Sequence, residues 1–279
     1  MIRHRMMQWM GLAPRNLPAS GDNPALQAVA RALVDGNATE GWQLLSSSAQ
    51  ARVARGTWEG QAVYLKVFLP RSPFEEFKAL GRGSRGARSV DRSIQMRRAG
   101  FHTPPVLTYG RCATRLEYML TESVSYPALN ALLIRNSGSS ILPFAERSRL
   151  LRAFGGEVAR LHRAGWIHGD LRLGNVLCNC SNDIQHPEFW YLDNEGSRRS
   201  YNARQQRRNL VQLVMTPREI QSRTDQLRLL QGYAHTMSLD RSRYRKLVYR
   251  VEASRNRRWQ GRLRKGGPKR RFHSEDRGN

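Results

Sequence analysis

The stretch that most constrains this chain is His168-Gly169-Asp170-Leu171-Arg172-Leu173-Gly174-Asn175, in which an Asp is followed five residues later by an Asn. Phosphoryl-transfer loops use that spacing: the carboxylate receives the proton of an attacking hydroxyl, and the amide holds a metal ion on nucleotide phosphates. A polar loop could also place the two residues five apart by chance, so the surroundings decide. Upstream, Leu150, Leu151, Phe154, Val158 and Leu161 give Leu150 to Ala164 the period of an amphipathic helix, and Ala164-Gly165 supplies its stop. Downstream, Val176-Leu177-Cys178 reads as a short strand. After a turn-rich stretch a second strand, Phe189 to Leu192, ends in Asp193. Helix, loop, hairpin and terminal acid in that order bring a second metal-binding carboxylate beside the loop, although the two acids stand 23 residues apart.

Such a site also needs a fixed cation. Ala62-Val63-Tyr64-Leu65-Lys66-Val67-Phe68 is an apolar strand broken by one lysine. Burying a bare ammonium is costly, so Lys66 is expected to point into a cleft or reach a counter-charge. The alternation of Ala62, Tyr64 and Lys66 also permits an edge strand with the lysine on its wet face.

With these features the chain resembles the protein-kinase-like superfamily, and within it the bacterial kinases that phosphorylate Kdo or heptose sugars of the lipopolysaccharide core. The resemblance spans roughly Trp42 to Val214. It rests on the Lys66 strand, on Arg97-Arg98-Ala99-Gly100-Phe101-His102-Thr103-Pro104-Pro105-Val106-Leu107, on Met119-Leu120-Thr121-Glu122, on His168 to Asn175 and on Leu192-Asp193. It implies ATP and Mg2+: Lys66 on the α- and β-phosphates, Asp170 as catalytic base, Arg172 steadying the transferring phosphate, and Asn175 and Asp193 holding magnesium. Glu122 and the next two residues would form the hinge, binding adenine through backbone groups, and His168 would order the loop.

Three departures from that pattern stand out. Asn194-Glu195 replaces the usual Phe-Gly after the metal acid, which offers Glu195 as a further metal contact. The turn expected to cover the phosphates, Leu44 to Ala49, lacks glycine, so the hydroxyls of Ser46 and Ser47 and backbone N–H groups would cap them. The helix expected from about Ser84 to Ala99 carries no glutamate to pair with Lys66, and Asp91 is the acid left for that place.

The 279 residues, 39% of them apolar, suffice for one bilobal domain of about 200 residues with extensions. No apolar run approaches the ~20 residues that span a bilayer. Met1 to Met10 has basic residues but too short an apolar core for a signal peptide. Cys112, Cys178 and Cys180 are too few for a four-ligand structural metal site, and reduced thiols fit a cytoplasmic enzyme. Of the formal charge of +25, about half lies in residues 241–279, with fifteen basic and three acidic side chains. That composition predicts a disordered tail. The tail suits anionic lipid on the inner face of the inner membrane, where an anionic glycolipid acceptor would be met; nucleic acid is the competing partner. Arg198 and Arg199 are expected to hold anionic groups of the acceptor, with solvated surface as the alternative.

The expected architecture is therefore α+β, a bilobal protein-kinase-like fold. Residues 1–43 form a leader with a helix near Ala25 to Val34, about 44–121 an antiparallel-sheet N-lobe, about 122–240 a mostly helical, reduced C-lobe, and 241–279 the tail. Helices are expected near Arg204 to Met215 and Pro217 to Thr236. The expected reaction is transfer of the γ-phosphoryl of ATP to a lipopolysaccharide sugar hydroxyl. A small-molecule kinase of aminoglycoside or choline type, or a protein Ser/Thr kinase, is the alternative within the class. A pseudokinase whose basic surface docks a membrane or nucleic acid is the alternative outside it.

Overall fold

Val63, Leu65 and Val67 alternate along the lysine strand, and all three are fully buried in the computed structural model, which describes residues 23–45, 49–70, 83–113, 116–136, 139–140, 142–180 and 186–264. Strands β1 (Trp42–Leu45), β2 (Ala51–Trp58), β3 (Gln61–Phe68), β4 (Val106–Ala113) and β5 (Leu116–Glu122) form an antiparallel sheet in the order β1-β2-β3-β5-β4. The β2–β3 hairpin turns on Glu59 and Gly60, both in the left-handed region (φ 50° and 77°), the geometry that matches the strands' twist.

Among the described residues each face of the sheet takes one helix. Helix α1 (Pro24–Val34) lays Leu26, Ala30 and Leu33 against Val63, Leu65 and Val67, and the Asn23 side chain caps its first turn. The helical part of the segment expected to be a leader is therefore built into the N-lobe, because its i, i+4, i+7 apolar stripe fits the outer sheet face, and residues 1–22 lie outside the described residues. On the inner face, Ala87 and Val90 of α2 (Arg85–Arg98) pack on Phe68, Tyr109 and Met119. Buried Glu117 of β5 accepts from the Gly86 amide at 3.0 Å and from the Tyr109 hydroxyl, placing a carboxylate at the helix's positive end.

The second lobe contains α3 (Leu129–Leu132), α4 (Phe144–Arg163), β6 (Trp166–Ile167), β7 (Val176–Asn179), β8 (Glu188–Tyr191), β9 (Arg198–Arg199), α5 (Ala203–Val214), α6 (Arg223–Thr236) and α7 (Arg241–Leu263). A Cβ on Gly155 of α4 or on Gly232 of α6 would stand 2.0 Å from a carbonyl oxygen of the other helix, so the two backbones touch where only glycine fits. Helix α4 starts six residues before the apolar period suggests. Its first turns are fixed by a polar pair instead: buried Arg147 donates to Asp225 Oδ2 at 2.9 Å and to the carbonyls of Leu133 and Ile220. Helix α6 begins at Arg223, not Pro217, because Ser222 and Asp225 form a capping box there.

The tail expected to be disordered from Arg241 is a helix through Leu263. Tyr244, Leu247, Val248 and Val251 fall on one side of it, and this narrow stripe packs on the C-lobe core although the helix as a whole is strongly basic. Among the described residues no helix is long and apolar enough to cross a membrane. Val251 has no exposed surface, and an unpaired buried carboxylate there should be costly. Val251→Asp is expected to lower the unfolding midpoint by roughly 5–10 °C; scanning calorimetry that finds the midpoint unmoved would mean that the helix is not docked.

Candidate active site

The catalytic-loop sequence follows α4, which ends at Arg163 and turns through Gly165 (φ 74°) into β6. Helix α5 holds the loop from beneath. The buried Asn209 side chain accepts from the His168 amide at 3.1 Å and donates to the His168 carbonyl at 2.6 Å. One helical turn on, Gln212 reaches the Gly169 carbonyl at 3.3 Å and Asp170 Oδ1 at 3.4 Å. His168 accepts the Asp170 amide on Nδ1 and bonds the Leu192 carbonyl through Nε2 at 2.9 Å, which requires the proton on Nε2. Burial lowers its pKa, so the ring is neutral.

The turn bearing Asp193 meets this loop directly. Strands β7 and β8 pair with Val176 opposite Tyr191, and the Leu192 amide bonds the Asn175 carbonyl at 2.9 Å. Asp193 then adopts φ 56° and ψ 53°, a left-handed conformation that costs on the order of 1–3 kcal/mol in a non-glycine residue. Gly169 and Gly196 lie backbone to backbone: a Cβ on Gly169 would stand 2.4 Å from Gly196 Cα. Asn194 ties the turn to α2 through Ser93 Oγ at 3.1 Å.

Into this junction β3 extends Lys66, whose Nζ lies 2.6 Å from Asp193 Oδ1. Burial acts to raise the Asp193 pKa, but the Lys66 ammonium, helped by the charge of Arg85, holds it below its ordinary value. Asp170 Oδ1 accepts from Arg172 Nε at 2.9 Å, and Asn175 Nδ2 donates to the Asp170 carbonyl at 2.9 Å and to Oδ2 at 3.4 Å. The structure thus brings Lys66, Asp170, Arg172, Asn175 and Asp193 together. Among the described residues Asn175 Oδ1 and Asp193 Oδ2 keep no protein partner. Two oxygen donors of this kind suit Mg2+, which completes its shell from phosphates and water; no cluster of three or more His, Cys, Asp or Glu residues is present among the described residues.

At the hinge, the Glu122 amide bonds the Pro105 carbonyl and the Ser123 amide the Ala62 carbonyl. Among the described residues the Val124 amide and carbonyl make no backbone hydrogen bond. Ser46 and Ser47 lie outside the described residues.

Two expectations are corrected. Asp91 does not meet Lys66: its Oδ1 takes Gln95 Nε2 at 2.8 Å, and it lies 3.6 Å from Arg92, because α2 turns it toward its own helix. Glu195 faces no metal position, since both of its oxygens are held by Arg85. Arg198 and Arg199 also have structural partners. Arg198 Nε bonds Gln205 at 3.0 Å, and Arg199 stacks 4.7 Å over Trp166 while donating to the Ala164 carbonyl. Asn209, Gln212 and Arg85 carry weight that motif spacing does not show. The available signal for the first two is a polar i, i+3 pair, Asn209 just before and Gln212 within the otherwise apolar run Leu210 to Val214.

Residues 85–233, more than half of the chain, match the family described as lipopolysaccharide kinase (Kdo/WaaP). Among solved structures the fold is similar to that of "WaaP in complex with acyl carrier protein", with a TM-score of 0.58 and 18% sequence identity over 85% of this chain and 93% of that chain. No curated protein matches the sequence at a significant level.

The platform under the loop makes stability depend on pH. His162 bonds Asn209 and Tyr233, and burial lowers its pKa from 6.5 to about 4. Between those values the unfolded chain binds a proton that the folded chain refuses, so stability falls as pH drops through that window, by on the order of 3 kcal/mol. His168 acts in the same direction, whereas Asp193 and Asp225, with lowered pKa values, titrate below about 3.8. His162→Phe is expected to flatten the unfolding free energy between pH 6.5 and 4 in urea titrations; a slope equal to wild type would contradict this.

Proposed function

The chain belongs to the lipopolysaccharide kinase (Kdo/WaaP) family, and we propose that this kinase moves the γ-phosphoryl group of ATP to a sugar hydroxyl of the lipopolysaccharide inner core. The observation that carries the reading is the convergence of Lys66 from the sheet lobe with Asp170, Asn175 and Asp193 from the helical lobe. A folded module without catalysis gives no reason for an acid, an amide and a lysine to meet in this order.

Asp170 is held on its loop by Asn175 and Gln212, so its Oδ1 can exchange the Arg172 contact for an incoming hydroxyl. The acceptor oxygen bonds to the γ-phosphorus as the bond to the bridging oxygen of the leaving ADP breaks, and the hydroxyl proton passes to Asp170. Arg172, its side chain 64% exposed, is then free to meet the oxygens of the transferring group with its planar donors. Lys66 exchanges Asp193 for the α- and β-phosphates. Asn175 and Asp193 would hold magnesium, which when bound neutralises charge on the phosphates. Orientation between fixed groups supplies much of the rate.

Only residues 197–202 separate the metal-acid turn from α5, too few for a peptide platform, which favours a small or glycolipid acceptor. Helix α7 exposes Arg241, Arg245, Lys246, Arg250 and Arg257 beside Tyr249 and Trp259. A Lys or Arg near an anionic membrane contributes about 1 kcal/mol, so five engaged together give ~5 kcal/mol, reversible sub-millimolar docking on the inner face of the inner membrane. Nucleic acid would meet the same charges and is the control partner for that surface.

The test is transfer of labelled γ-phosphate from Mg-ATP to lipopolysaccharide core precursors, with free sugars and a generic protein as other acceptors. Label is expected on the glycolipid, and Asp170→Ala is expected to reduce transfer by about 10²- to 10⁴-fold. Nucleotide binding without transfer to any acceptor would instead support the pseudokinase.

A further inference from the structure

Besides Lys66 and Ser93, a guanidinium fixes the turn that carries Asp193 to the N-lobe. Arg85, the first residue of α2 and only 6% exposed, places Nε and Nη2 on the two oxygens of Glu195 at 3.3 and 2.9 Å. Its Nη1 donates to the carbonyls of Gln50, just before β2, and Leu69, just after β3, at 3.1 and 2.9 Å. One side chain therefore joins two strand ends, the start of α2 and a residue two positions beyond Asp193. The Phe68 ring connects this fork to the site: Lys66 Nζ lies 5.1 Å and Arg85 Cζ 5.7 Å from its centroid.

We infer that Arg85 and Glu195 are a positioning pair that sets where the Asp193 carboxylate stands relative to Lys66. The inference rests on the phosphotransferase reading and deepens it. No acid on α2 reaches Lys66 among the described residues, so the helix has no ionic link to the lysine itself. Its link runs to the acid-bearing turn, with the cation on the helix and the acid on the turn. Asp193 is held in a left-handed conformation, and each residue after it is clamped in turn: Asn194 by Ser93, Glu195 by Arg85, Gly196 against Gly169. A bidentate Arg–carboxylate pair is the most directional of these clamps, since its two parallel bonds fix the plane of Glu195 as well as its distance. Neither residue touches nucleotide or acceptor in this account; both act through Asp193.

The test is a cycle of Arg85→Gln, Glu195→Gln and the double variant in the full-length protein. Three quantities are read: the affinity for Mg2+ with a non-hydrolysable ATP analogue by calorimetry, the KM for the glycolipid acceptor, and amide exchange over residues 192–197. Each single variant is expected to weaken Mg-nucleotide binding by at least about tenfold and to speed exchange in the turn, with acceptor KM unchanged; the double variant is expected to be no worse than the weaker single, as for two halves of one link. Arg85→Lys, which keeps the charge and loses the fork, should fold and bind with intermediate affinity. Singles within twofold of wild type, or Arg85→Lys equal to wild type, would overturn the inference by reducing the pair to a strut. Additive losses would overturn it by making Glu195 act on the metal independently of Arg85. A wild-type protein that binds no Mg-nucleotide would overturn the phosphotransferase reading itself, and this inference with it.

Discussion

Two glycines set backbone against backbone are the constraint on which the site depends. Gly169 and Gly196 leave no room between them for a Cβ, and their contact brings the loop of Asp170 and Asn175 against the turn of Asp193. Everything else holds that junction in place. Asn209 and Gln212 fasten one side to α5, Asn194 and Glu195 fasten the other to α2, and His168 crosses between them to the Leu192 carbonyl. The supporting bonds are made by buried polar groups, each of which would cost about 1–3 kcal/mol if left unpaired. Their directionality is what suits them to fixing a few ångströms of geometry, which apolar packing specifies less sharply.

The groups expected to meet phosphates and metal are, by contrast, partly exposed and provisionally paired. Lys66 rests on Asp193, and Arg172 rests on Asp170. Each acid is thus matched with a cation that, in the proposed reaction, moves to the phosphates. Pairs with about 40% of the acid side chain exposed are weakened by solvent, so partners can be exchanged at little cost. The frame is buried, and the ions stand on its partly exposed rim.

The sequence made the frame's strong periodicities and the loop's spacing readable. Lys66, Asp170, Asn175 and Asp193 stood out because their types and the order of the elements around them are local features, and the structure brings their side chains to one junction. The kinase-like α+β fold followed from the same order of elements, and similarity to a solved fold supports it. What escaped reading has a common physical character: polar groups whose partners lie far off in the chain. Arg147 finds Asp225 across 78 residues and Arg85 finds Glu195 across 110, so neither pair leaves a local pattern. Asp91 looked like a partner for Lys66 only because it was the acid on the right helix; helical phase turns it to Gln95. Residues 241–263 of the basic tail depart from expectation for the opposite reason: charge masks the stripe from Tyr244 to Val251 that docks this helix. The role of Ser46 and Ser47 lies outside the described residues.

The most direct measurement is a crystal structure with Mg2+ and a non-hydrolysable ATP analogue. The account predicts the triphosphate between the lobes, Lys66 moved from Asp193 onto it, the metal on Asp193 and Asn175, and the base against the backbone of Glu122 to Val124. A nucleotide bound elsewhere, or one bound there with Lys66 still on Asp193 and no metal between Asp193 and Asn175, would contradict it.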